Sequence, residues 1–405
     1  MKYKVVIIGH GYTSRLGIIR SLAKIDCEIT VIAMVFHGWL GRMVRLSGGR
    51  PIDCYSKYVN HYYYCIEKDE KGLIQLLLDK CLSPGQKVVI IPDSDFSAAA
   101  IDRNQEVLKP YFVFPQINNK PGAIEHWMSK TVQKDLAREV GLTVAEGRVL
   151  SVKDGKYVVP DIIKYPCFTK PLATISGGKG FLRRCDNAAE LQKVMRMVGE
   201  KFCNTEVLVE DYKIIDKEYA VVGFSDGKNV VISGVIEFIA NSKSHFGIAR
   251  EGMVKPINGF ETIIDQFRDF VSTIGFCGLF DIDFYESGGK MYYSEMNFRF
   301  GGSGYVYTVM GANLPAMMVR FLCGEEYQDM LHDVSCVATY VNERMCLDDY
   351  LHGYLNKKQV KAIISRPDIC FIMDSDDIAP FKRMKRELRI LGLKKFRLKI
   401  KKLAK

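Results

Sequence analysis

No apolar run in these 405 residues approaches the roughly 20 residues that a membrane-spanning helix needs. The start, MKYKVVIIGHGYTSRLG, lacks the charged region, long apolar region and small-residue cleavage site of a signal peptide; it reads as a strand entering a glycine turn. The CxxC spacing of zinc and redox sites is missing too, and no two of the 12 cysteines are closer than ten residues. In an unsecreted chain such cysteines are buried reduced thiols, not a disulfide or zinc framework. Together these absences argue against an integral membrane protein and a disulfide-stapled secreted domain, and they place the chain in the cytoplasm. No internal repeat is visible.

An excess of acid or base is also missing from most of the chain. The formal charge is +10, but residues 382–405 alone hold twelve Lys or Arg against one Glu, leaving about −1 for everything before them. The body is neutral, so the charge gives no reason to expect a nucleic-acid partner. The 48% hydrophobic content over this length exceeds one ordinary core and implies two or three domains.

What is present organises into two textures. Short apolar runs, KVVII (4–8), EITVIAM (28–34), KVVIIP (87–92) and YFVFPQ (111–116), alternate with helical patterns. That is the signature of an open, mainly parallel α/β sheet, here bounded at 1–124. SKTVQKDLAREVG (129–141) has the spacing of an amphipathic helix, capped by Ser129 and stopped by Gly141. Beyond about residue 160 the strand-like runs CFTKPL, EVLVEDY, EYAVVGF, NVVISGVIEF, FCGLFDIDFY and KMYYSEMNF crowd together, as in an antiparallel α+β region. After about residue 330 one run, VSCVATYV, precedes the basic tail.

Five features carry chemistry. Gly9-His10-Gly11 lies at a strand end, but Ser14 stands where a dinucleotide fingerprint has its third glycine. The second strand ends Ala33-Met34-Val35, without the ribose-binding acid, which argues against a nicotinamide cofactor. Lys170 ends a strand and is followed by Ser176-Gly177-Gly178-Lys179-Gly180; such a loop can wrap phosphate oxygens with its N–H groups or be a plain hairpin. Val207–Val209 run into Glu210, Asp211 and Tyr212, with Glu218 beyond, either a strand end or a surface for an adenine edge and ribose hydroxyls. Asp93 and Asp95 end another strand, where they could orient an amine or cap a helix. The most informative feature is a hairpin in which Asp281 and Asp283 share one face of a strand, and Glu295, Asn297 and Arg299 share one face of its partner. Hard oxygen donors on facing strands suit Mg²⁺ shared with nucleotide phosphates.

The order of these features resembles the ATP-grasp superfamily over about residues 1–320, and EMNFRFGGSGY is similar to the matching stretch of carbamoyl phosphate synthetase and D-aspartate ligase-like enzymes. The resemblance implies a pre-ATP-grasp α/β domain at 1–124, two α+β subdomains gripping ATP at 125–205 and 206–325, an extension at 326–381 and a basic tail at 382–405. It also implies a C–N bond-forming ligase that activates a carboxylate as an acyl phosphate and passes it to an amine, on an amino acid or a cell-surface precursor. Its cofactors would be ATP and Mg²⁺, with Mn²⁺ an acceptable substitute. Lys130 and Lys170 would contact the phosphates under Ser176–Gly180. Glu210, Asp211 and Tyr212 would line the adenine hinge, and Glu218 would hold the ribose. Asp283, Glu295 and Asn297 would bind the metal, leaving the role of Asp281 open, and Arg299 would meet the acyl phosphate or the carboxylate. Two departures stand out: Ser129 precedes Lys130 where many members have Asp, and the metal strand offers two aspartates. His245 and Arg250, in SKSHFGIAREG, either reach the carboxylate substrate or belong to an exposed loop.

The alternatives are a bicarbonate-phosphorylating enzyme of the carbamoyl phosphate type and a non-catalytic nucleotide-binding protein. A homo-oligomer is compatible with all three. In the tail, Met384, Leu388 and Leu391, then Leu393, Phe396, Ile400 and Leu403, fall at helical spacing among Lys and Arg. Such a helix suits an anionic surface at the inner face of a membrane or an apolar seat on the body of the protein; the same composition also suits a disordered solubilising tail.

Overall fold

The computed structural model describes residues 2–10, 12–35, 50–172, 181–245 and 247–389. The chain divides into two compact units. One comprises Met1–Ile124, Tyr219–Asp281 and Asn297–Lys405, and the other Glu125–Glu218 and Ile282–Met296.

In the first 124 residues, β1 (Tyr3–Gly9), β2 (Cys27–Val35), β3 (His61–Ile66), β4 (Val88–Pro92) and β5 (Phe112–Val113) pair in parallel in the order β3-β2-β1-β4-β5. A parallel sheet is covered on both faces, which is why its strands read as continuous apolar runs. Val5 and Ile7 face one core with Leu16, Ile18 and Ile19 of the helix Tyr12–Leu22. Val6 and Ile8 face another with Leu73 and Leu77 of the helix Glu70–Lys80. Strand order reverses between β1 and β4. The run YFVFPQ, expected as one strand, splits: β5 ends at Val113, and β6 (Gln116–Ile117) crosses to a different sheet. Pro115 between them has no N–H to offer a ladder.

The second unit opens with the helix Lys130–Glu139. Its sheet is antiparallel, with β7 (Gly147–Lys153), β8 (Lys156–Tyr157), β9 (Cys167–Pro171), β10 (Arg183–Cys185) and β11 (Thr205–Asp211) in the order β10-β9-β11-β7-β8. The helix Ala188–Phe202 packs Leu191, Val194, Met195 and Val198 onto Cys167, Val207 and Val209. Strand alternation therefore turns Leu208 and Glu210 to the opposite face. Lys170 is directly opposite Leu208 on β9 and shares that face.

The remaining strands are β12 (Lys217–Asp226), β13 (Val230–Ile232), β14 (Val235–Asn241), β15 (Ala249–Lys255), β16 (Phe276–Ser287), β17 (Lys290–Asn297), β18 (Ala338–Val341) and β19 (Ile369–Cys370). They are ordered β17-β16-β12-β14-β15-β18-β19, with β13 on β12 and β6 on β16. NVVISGVIEF, expected as one run, is broken at Ser233-Gly234. A Cβ on Gly234 would lie 2.7 Å from the Lys255 carbonyl oxygen, so the chain passes too close there for a side chain. The expected β16–β17 hairpin is present. Its two-residue turn, Gly288-Gly289, has φ of +56° and +74°, the left-handed pair that a primed turn demands.

The extension after residue 330 is knitted into the first unit. The buried Glu343 carboxylate accepts N–H groups from Phe371, Ile372 and Met373. Arg20 donates to the carbonyls of Phe371 and Ile372 and pairs with Asp377 at 3.1 Å. The tail begins as helix over 379–389, and its Met384 and Leu388, 0% and 7% exposed, lie in the first unit's core. Of the two seats considered for the tail's apolar face, these residues take the one on the protein. Leu391 to Leu403 fall outside the described residues.

Candidate functional site

Lys130 and Lys134 sit four residues apart, on one face of their helix. Lys130 ion-pairs with Glu295 of β17, and Lys134 with Glu210 of β11. Lys170 of β9 reaches the other Glu210 oxygen at 2.8 Å. Glu210 is thus a carboxylate held between two ammonium groups, with its side chain 3% exposed and that of Lys134 5%. Burial, reinforced by Lys170, Arg138 and Lys130, pulls the Lys134 ammonium down to about 7. Burial and Lys130 bring Lys170 down to about 8, with Asp283 opposing. Three lysines converge here among the acids Glu210, Glu295, Asp283 and Glu146, an arrangement that can receive a polyanion.

On the hairpin, Ile282, Phe284, Met296, Phe298 and Phe300 are buried, while Asp283, Glu295, Asn297 and Arg299 are half-buried on the alternate positions. This is the alternation expected. Among the described residues no three His, Cys, Asp or Glu side chains are gathered as a metal cage. Asp283, Glu295 and Asn297 would supply only part of a coordination shell. That fits Mg²⁺, which keeps waters and takes one or two carboxylates together with substrate phosphates.

A second cluster, wholly within the first unit, stands at the carboxyl ends of β1 and β4, the switch point of the parallel sheet and the usual ligand crevice of such folds. Here Asp93 follows β4 and is 5% exposed. A Cβ on Gly9 would lie 2.8 Å from the Asp93 side chain, so glycine lets β1 end against it. Ser14 donates its hydroxyl to Asp93 Oδ2 at 2.9 Å, which gives the residue at the third-glycine position a task of its own. Asp93 Oδ1 is buried without a hydrogen-bond partner among the described residues. Burial pushes this carboxyl up to about 7, against the pull of Arg15, Ser14 and Arg299. Arg15 is held by Asp53 through Nε at 2.7 Å and Nη2 at 3.1 Å. Arg299 lies 3.3 Å from Asp95 and 3.6 Å from the buried Asp281, which assigns Asp281 as a partner of the arginine. The cap at this helix is Ser94, whose side chain accepts from Ser97 N–H, so Asp93 is spared that duty.

Other expected residues lie elsewhere. The Arg250 guanidinium pairs with Asp349 at 3.1 Å and Glu251 at 2.8 Å, and His245 sits 3.0 Å from Asp348. Burial works against the Asp349 charge, but hydrogen bonds from Ser244, Ser242 and the Lys243 N–H hold it at about 2. Both side chains thus pin the β14–β15 connection to the helix Glu343–Leu351. The Tyr212 ring lies under the Arg184 guanidinium at 4.5 Å, and Asp211 is 4.0 Å from Lys213. Glu218 is half-buried near the start of β12. Ser176–Gly180 lies outside the described residues. Sequence reasoning missed Lys134, although its spacing from Lys130 was readable, and it missed Arg15 and Asp53, whose pairing spans 38 residues.

Comparison with known proteins places this geometry. Residues 135–316 match the model of the ATP-grasp domain, and a parallel α/β sheet precedes them. The large chain of carbamoyl phosphate synthase from Clostridium perfringens is 25% identical over 172 residues, which are 41% of this chain and 16% of that protein. The chain thus matches a small part of that relative's length. Among solved structures, the biotin carboxylase domain of Hydrogenobacter thermophilus 2-oxoglutarate carboxylase, in complex with MgADP, ADP and bicarbonate, superposes with a TM-score of 0.61 at 17% identity, covering 83% of this chain and 73% of that one. The L-amino acid ligase of Bacillus licheniformis gives 0.61 at 15% identity, covering 84% and 79%. These likenesses are of fold.

Proposed function

We propose that this chain is an ATP-dependent carboxylate–amine ligase. The γ-phosphoryl group passes to a carboxylate oxygen and ADP leaves. The amine nitrogen then attacks the acyl carbon, and inorganic phosphate departs to leave an amide. The observation that carries the reading is one chain holding both a match to the ATP-grasp domain and, at a sheet switch point, a buried carboxylate with an oxygen unpartnered among the described residues, in the field of an arginine. An amide-forming enzyme must receive both a carboxylate and an amine, and Arg299 and Asp93 are the matching charges.

In this reading Lys130 and Lys170 take the nucleotide phosphates. Asp283, Glu295 and Asn297 hold Mg²⁺, which when bound neutralises charge on the transferring phosphoryl group. Glu210, Tyr212 and Glu218 belong to the nucleotide side of the site. Arg299 orients the substrate carboxylate, and its place beside Asp281 and Asp95 keeps the guanidinium from swinging free. Asp93, ionised above about pH 7, accepts the incoming ammonium and takes the proton it must lose to become nucleophilic. No serine or cysteine nucleophile is required.

The fold likeness to the L-amino acid ligase supports an amino-acid substrate, and the likeness to the bicarbonate-bound carboxylase domain supports the alternative of bicarbonate. ADP release measured with amino acids singly and in pairs, and with bicarbonate, separates the two. ADP formed only when a carboxylate and an amine are both present, with the amide found by mass spectrometry, is the expected result. ADP formed with bicarbonate alone would replace the reading with the other.

A further inference from the structure

Glu210 is positioned by two lysines on two different elements. Lys134 approaches from the helix Lys130–Glu139, and Lys170 from the neighbouring strand β9 at 2.8 Å. The two are not equivalent. Lys134 is sealed in, its ammonium also donating to the Ala145 carbonyl at 3.4 Å, whereas Lys170 keeps a 20% exposed side chain at the end of its strand. If Lys170 is to meet a nucleotide phosphate it must leave Glu210. A buried carboxylate stripped of its only cation is strongly unfavourable. With two cations, one can depart while the other stays.

We propose that Lys134 is a positioning residue: the resident counter-ion of Glu210, whose presence releases Lys170 to bind nucleotide phosphate. This rests on the reading of Lys170 as a phosphate ligand. Charge balance then runs in one direction. Without nucleotide, Glu210 is shared by Lys134 and Lys170. With nucleotide, Lys170 moves to the phosphates and Lys134 alone neutralises Glu210. The charged groups around the triad are Lys130, Arg138, Glu146 and Asp283.

Binding of Mg-ADP and of a non-hydrolysable ATP analogue, by calorimetry at pH 6.5, below the value of about 7 to which burial brings Lys134, tests both layers. Wild-type protein that binds neither overturns the nucleotide-site reading itself. Given wild-type binding, Lys134→Met should weaken it by about tenfold or more, because Lys170 is then locked on Glu210. Adding Glu210→Gln to Lys134→Met should bind nucleotide more tightly than Lys134→Met alone, since the carboxylate that traps Lys170 is gone. Wild-type affinity in Lys134→Met, or a double variant no better than the single, overturns the proposal. Should Lys134→Met not fold, ¹⁵Nζ-lysine NMR of the wild type decides. Nucleotide should shift the Lys170 titration upward by more than that of Lys134, which rises only by the loss of the nearby Lys170 charge; equal movement of both would refute the division of labour.

Discussion

Replacing Asp93 with Asn should make the protein more stable and less active, with a stability gain that grows as pH rises from about 4 and levels off above about 7. The Asp93 carboxyl sits at about 7 in the folded protein, against an ordinary unfolded value near 3.9. A carboxyl raised on folding binds its proton more tightly in the native state. Stability from this group is therefore complete below the unfolded value and is lost as pH rises through about 7. A shift of about three units corresponds to roughly 4 kcal/mol as an upper bound. Asn keeps the shape and the Ser14 contact but never ionises. Denaturant unfolding at pH 5, 6, 7 and 8 should show the two proteins diverging in favour of Asp93→Asn as pH rises, most steeply between 5 and 7. Amide synthesis at pH 8 should fall by about a hundredfold, the scale of a lost general base. A difference in stability that does not change with pH refutes the account of Asp93 as a buried, strained charge. Full activity in the variant refutes its role toward the amine.

Three other outcomes follow. Replacing Glu295 or Asn297 with Ala should leave a folded protein with little ATP turnover, and wild-type activity at low Mg²⁺ would remove these residues from the metal set. Replacing Arg250 with Ala strands the buried Asp349 carboxylate and should cost about 3 kcal/mol in unfolding free energy, with KM for the carboxylate unchanged once folded; a raised KM at full stability would return Arg250 to the substrate site. A chain ending at Pro380 loses the burial of Met384 and Leu388 and should be less stable by at least about 2 kcal/mol, a loss that one ending at Arg389 avoids. Only this second truncation is a fair test of the remaining basic residues on anionic vesicles, and equal sedimentation of it and the full chain would end the membrane hypothesis.

Much of the fold was legible because its strands obey simple rules. Continuous apolar runs marked the parallel sheet, and strict alternation from Glu295 to Phe300 marked the faces at the end of β17 and just beyond it. What stayed hidden depended on partners remote in sequence. β3, HYYYCI, has no clear period and is a strand because β2 lies beside it. Two helices, Glu343–Leu351 and Lys357–Ile364, occupy the stretch where local signals were weak. At the candidate site, the residue types were readable but their pairings were not. His245 and Arg250 read as available to a substrate until Asp348 and Asp349, about a hundred residues on, are seen to hold them. Lys134 escaped notice for a related reason: a lysine at helical spacing looks solvated until its buried acid is known.

The β16–β17 hairpin has a practical consequence through where the chain changes unit. The boundaries fall after Asp281 and after Met296, so a single ribbon out and back carries Asp283 and Glu295 in one unit and Asp281 and Arg299 in the other. Neither unit is a contiguous stretch of gene. A fragment spanning 125–218 lacks the strand residues that give Gln133 its bonds to Tyr293 and Met296, and one ending before residue 219 leaves the parallel sheet without the later segments that cover it. Exchange of substrate preference between relatives by swapping whole blocks of sequence would have to cut this ribbon twice, so variation in specificity is better sought in point changes around Asp93 and Arg299 than in shuffled domains.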